Sequence, residues 1–91
     1  MSNPLFDLSG QVALITGSSR GIGRSIAEEM SAAGAKVVIS SRKLEACDPV
    51  RDAIRARGGD AISLACNIGR KEEVEGLVKA TLEQLGRIDI L

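Results

Sequence analysis

The sequence predicts an α/β fold, a doubly wound parallel sheet in the order β-α-β-α-β-α-β. Three observations point there. Short apolar, β-branched runs alternate with amphipathic stretches of helical period. The connections between them are short, and glycine marks most of the boundaries. The 91 residues carry 44% hydrophobic and 26% charged residues, the balance of a globular domain and enough for one such unit.

Residues 11–16, "QVALIT", form the first predicted strand. From Gly21 the pattern turns helical: Ile22, Ile26, Met30 and Ala33 recur on one stripe, with Arg24, Glu28 and Glu29 off it. Gly34 suits the end of that helix. "KVVIS", residues 36–40, is a second buried strand. The second helix is expected from Pro49 to Arg57, with Asp48 as N-cap and Gly58 and Gly59 as terminators; residues 44–47 are left open as a separate turn. Residues 61–66 supply a third strand. Val74, Leu77, Val78, Thr81, Leu82 and Leu85 make the clearest helical stripe, with Glu72, Glu73, Glu75, Lys79 and Glu83 opposite. Gly86 closes it, and "RIDIL" begins a fourth strand. Nearly all-apolar strands between amphipathic helices imply a parallel sheet covered on both faces. Right-handed crossovers place the first strand beside the second and the second beside the third. This is the nucleotide-binding half of a doubly wound fold.

Composition narrows the chemistry. Twelve basic residues balance twelve acidic ones, so there is no electrostatic case for nucleic acid or a membrane surface. The chain has no His, Tyr or Trp, which removes histidine acid–base chemistry, a His-ligated metal and a catalytic tyrosine from these residues. Cys47 and Cys66 lack the spacing of a zinc motif and read as two free, partly buried thiols; no metal site is expected. "MSNPLFDLSGQ" has neither a basic leader nor an apolar core, and no run approaches the roughly 20 apolar residues that span a bilayer. A cytoplasmic, soluble protein is expected.

The chemistry that remains centres on "ITGSSRGIG", residues 15–23. Gly17, Gly21 and Gly23 follow a strand and open a helix. Glycine allows positive φ and brings the backbone close to a ligand. The free amides and dipole of a helix start favour an anion, and a diphosphate suits that cradle. Ser18 and Ser19 offer hydroxyls. The competing reading is a tight turn whose glycines serve packing alone.

With its GxxxGxG spacing, "TGSSRGIG" resembles the TGxxxGxG cofactor motif of the short-chain dehydrogenase/reductase family. "GAKVVISSRK", "ACNI" and "GRIDIL" fall where that family carries its second strand, adenine-side loop and fourth strand, so the resemblance runs the length of the chain. It implies a Rossmann-type fold with Gly17, Ser18, Ser19, Arg20, Gly21, Ile22 and Gly23 around the cofactor. The second strand ends in "ISSRK" and lacks the carboxylate that NAD-preferring folds place on the ribose 2′-hydroxyl. Arg42, next to Ser41, suits a 2′-phosphate, and Arg20 suits it from the other side. A basic residue at either position marks NADP preference in the family. Asn67 stands where the family commonly has an Asp on the adenine amino group, and Ile68 is expected against the adenine.

The family's catalytic Ser, Asn, Tyr and Lys cannot be assigned to any residue here; Lys71 and Lys79 read as a solvated helix face. Residues 1–91 are therefore expected to be the truncated, NADP-binding portion of an oxidoreductase interconverting an alcohol and a ketone or aldehyde. Alone it is expected to be inactive, taking a small carbonyl or alcohol only within a longer chain. An open apolar edge at the first strand invites self-association or pairing with a carboxy-terminal part. Two alternatives stand beside this: a non-catalytic nucleotide-binding or regulatory module, and a different enzyme on a similar fold, such as a methyltransferase.

Overall fold

Apolar side chains on both faces of a strand are stable only with cover above and below, and three such strands form the centre of this molecule. A computed structural model of the chain describes residues 7–89. Strand β1 is Val12–Thr16, β2 is Lys36–Ser41 and β3 is Asp60–Ala65. They form one parallel sheet in the order β1-β2-β3. Val12 lies beside Lys36 and Thr16 beside Ser40; Lys36 lies beside Asp60 and Ser41 beside Ala65. The three carboxyl ends therefore finish at one end of the sheet, where ligands bind in folds of this kind.

Helices α1, Gly21–Ala32, and α2, Leu44–Ala56, contribute to one core cluster, and α3, Lys71–Leu85, to another. Ala13, Val37, Ile39 and Ala61 pack with Ala27 of α1 and with Cys47, Val50 and Ile54 of α2. Leu14, Val38 and Cys66 pack with Leu77 of α3, with Val74, Val78 and Leu85 around them. Both thiols are free and buried, each in a different cluster. No helix among the described residues is long and apolar enough to cross a membrane.

Three details depart from the sequence expectation. First, α2 begins at Leu44 and runs through Pro49. Asp48 lies inside the helix rather than at its cap. Cys47, Val50 and Ile54 are all buried, so the stripe that anchors α2 begins before the proline. Pro49 removes one helical hydrogen bond, the one to the Glu45 carbonyl, and both residues are exposed. Second, the inward face of α1 is Gly23, Ala27 and Met30; of the expected stripe Met30 packs on the core, and Ile22 and Ile26 do not. A Cβ on Gly23 would collide with the Gly17 carbonyl oxygen and lie 3.0 Å from its carbon. That approach turns Ile22, 80% exposed, and Ile26 to the flank. Third, residues 87–89 are not in strand conformation, although Asp89 already touches β1. Its N–H donates to the Val12 carbonyl at 2.9 Å, and its carboxylate accepts the Val12 N–H at 2.8 Å. The rest of the expected fourth strand, Ile90 and Leu91, lies outside the described residues.

Candidate nucleotide-binding cleft

The strand-to-helix turn after β1 is built by backbone conformations that favour glycine. Gly17 has φ +66° and Gly21 φ +64°. A latch holds the turn to the sheet. The Ser18 N–H donates to the Ser40 carbonyl at 3.1 Å, and the Ser18 hydroxyl donates to the Ile15 carbonyl at 2.6 Å. The same hydroxyl accepts the Ser40 N–H at 2.9 Å. Ser18 is fully buried. Its hydroxyl, expected to face a ligand, is instead an internal tie.

Beyond this turn, at the carboxyl end of the sheet, lies an open cleft of about 580 Å³. Gly17, Ser19 and Arg20 line it from the glycine turn, Ser41 and Arg42 from the end of β2, and Ile68 from the loop after β3. These six expected site residues are brought together. Lys43, Ala46 and Cys66 complete the lining, and no carboxylate is among these residues. Three cations thus face one cleft without an opposing acid, at the start of α2, whose first amides receive no side-chain cap. Such an end holds an anion well. The glycine-turn helix α1 also begins without a side-chain cap. The Ser41 hydroxyl accepts the Lys43 N–H at 3.3 Å and lies 3.2 Å from the Cys47 sulfur, so it shapes the loop carrying both cations.

The remaining expected residues lie off the cleft. Gly21 and Ile22 border a shallow apolar groove on the outer flank of α1, with Ser25 and Ile26. Gly23 serves the helix contact with Gly17. Asn67 is half-buried, and its side-chain oxygen accepts the Gly69 N–H at 2.9 Å. Lys43 was legible only as the neighbour of Arg42; placing the second helix at Pro49 hid its position at a helix start. Cys66 offers no nucleophile. Burial, and then the Glu73 carboxylate, push its thiol pKa up, so it stays protonated at neutral pH.

A glycine turn, two uncapped helix starts and a cationic cleft lie together at the carboxyl ends of the parallel strands, on a Rossmann-like fold. The sequence profile of the short chain dehydrogenase family matches residues 11–91, and the chain belongs to that family. It is 45% identical over 85 residues to a 3-oxoacyl-[acyl-carrier-protein] reductase of Synechocystis, covering 92% of this chain and 34% of that protein. It is 39% identical over 84 residues to the 7alpha-hydroxysteroid dehydrogenase of Escherichia coli, covering 92% of this chain and 33% of the relative. A crystal structure of a metagenomic short-chain oxidoreductase in complex with NADP superposes with TM-score 0.89 at 41% identity, over 93% of this chain and 38% of that one. The chain spans about a third of the length of the curated relatives it matches.

Proposed function

We propose that residues 1–91 are the cofactor-binding portion of an NADP(H)-dependent, cytoplasmic short-chain oxidoreductase that interconverts an alcohol and a ketone or aldehyde. The observation that carries this reading is the cleft itself: Arg20 and Arg42 line it, with Lys43 beside them and no carboxylate. A carboxylate there would hydrogen-bond a free ribose 2′-hydroxyl and repel a 2′-phosphate; a guanidinium does the reverse. The glycine turn and the first amides of α1 would hold the diphosphate, and Ile68 would lie against the adenine. The NADP complex of the metagenomic relative supports the choice of cofactor.

When bound, the nicotinamide supplies the hydride chemistry, and this portion of the chain binds and orients the rest of the cofactor. The family's Tyr and Lys would come from further chain, and so would the pocket for a small carbonyl or alcohol. Calorimetric titration with NADPH, NADH and S-adenosylmethionine tests the reading. NADPH is expected to bind more tightly than NADH, and S-adenosylmethionine not at all. Equal affinity for the two nicotinamide cofactors would remove the 2′-phosphate assignment. Preferential binding of S-adenosylmethionine would overturn the oxidoreductase reading.

A further inference from the structure

We infer that Glu73 is a positioning residue for the adenine end of the cleft, acting through the loop that presents Ile68. The inference rests on the dinucleotide reading above. Ile68 lines the cleft yet is 66% exposed, so core packing does little to hold it in place. Its position depends on the backbone on either side. Within this loop the hydrogen bonds are local: the Asn67 side-chain oxygen accepts the Gly69 N–H at 2.9 Å, and the Asn67 carbonyl accepts the Arg70 N–H at 3.0 Å.

At its far end the loop joins α3, where the Arg70 carbonyl accepts the Glu73 and Val74 N–H groups at 3.1 Å each, and two further bonds hold its start. The Cys66 N–H donates to the Ser41 carbonyl at 2.8 Å, which anchors the loop's start to β2. The Asn67 N–H donates to Glu73 Oε1 at 2.9 Å, which ties it to the first turn of α3. The other carboxylate oxygen of Glu73 lies 3.7 Å from the Arg70 guanidinium, at the helix N-cap. A carboxylate at this place also suits the helix dipole. Glu73 is absent from the cleft lining, so its influence on a ligand passes through Asn67 and Ile68. Its effect should therefore be blind to the 2′-phosphate.

The test is a titration of 5′-AMP, NADH and NADPH into wild-type and Glu73→Ala protein, well below the melting temperature of each. Loss of this solvent-exposed bond should weaken all three ligands by the same factor, about three- to tenfold. Glu73→Gln, which keeps an acceptor oxygen, should restore most of the affinity. In an Ile68→Ala background the Glu73→Ala change should have little further effect. If Glu73→Ala does not fold, Glu73→Asp, one methylene too short for the bond, takes its place. Unchanged affinities in the folded variant, or a loss confined to NADPH, would overturn the inference and leave the cofactor reading standing. A wild-type chain that binds none of the three ligands would overturn both.

Discussion

Replacing Gly23 with alanine adds one methyl group where the backbone has left no room. The new Cβ would fall on the Gly17 carbonyl oxygen, 3.0 Å from the Gly17 carbonyl carbon and 3.2 Å from the Ser18 Cα. Carbon atoms in contact prefer about 3.5–4.0 Å. All three neighbours are backbone, and the turn is latched to β2 through Ser18, so none can rotate aside. Helix α1 must move outward by a fraction of an ångström or more, which loosens the packing of fully buried Ala27. Overpacking of this kind costs about 1–3 kcal/mol. For a domain of this size each kcal/mol lowers the melting temperature by about 4–8 °C. Thermal unfolding followed by far-ultraviolet circular dichroism reads the effect. Gly76→Ala is the matched control: the position lies within α3 and a Cβ there meets nothing within 4 Å. That change should stabilise by up to about 1 kcal/mol through helix propensity. A Gly23→Ala protein that melts with the wild type would refute the close approach of α1 to the glycine turn. Nucleotide affinity should fall along with stability, because the first amides of α1 move with the helix.

The other expected outcomes are distinct. Ser18→Ala leaves the buried Ser40 N–H without its side-chain acceptor and should cost about 1–3 kcal/mol, read by urea denaturation. Arg42→Ala should weaken NADPH roughly tenfold or more while leaving NADH nearly unchanged, since a charge-assisted bond to phosphate is worth about 1.5–3 kcal/mol; equal losses would argue against the assignment. The Asp89 carboxyl is held below the usual carboxylate range by its hydrogen bond from Arg87 and then by that from the Val12 N–H. A depressed folded pKa means its stabilisation is present above the unfolded value, near pH 4, and is lost as pH falls through the folded one. Acid unfolding of Asp89→Ala should lack that contribution, and an unchanged acid limb would count against the bond. Finally, 91-residue material verified by intact mass should not reduce a carbonyl with NADPH; turnover that survives removal of contaminants would mean unrecognised chemistry in Ser, Lys or a carboxylate.

The order of strands and helices was legible because burial leaves a period. Val12, Leu14, Val37, Val38 and Ile39 are apolar because both faces of the sheet are covered, and this can be read without knowing what covers them. The glycine turn was legible for a different reason: positive φ at Gly17 and Gly21 is a local demand that few other residues meet. The absence of an acid at the end of β2 was visible in "SSRK" itself. Other features depend on where elements meet. Local rules put the start of α2 at Asp48 and Pro49, but the burial of Cys47 carries the helix back to Leu44 and brings Lys43 to the cleft. Ser18 and Ser19 are chemically equal neighbours in the sequence. Only the approach of β2 makes Ser18 an internal latch and leaves Ser19 on the cleft. The tie from Glu73 to Asn67 depends on how the loop turns into α3, and the bonds of Asp89 to Val12 join residues 77 positions apart. Sequence period records which side of an element is buried; which atoms it meets there is decided by the packing of whole elements against one another.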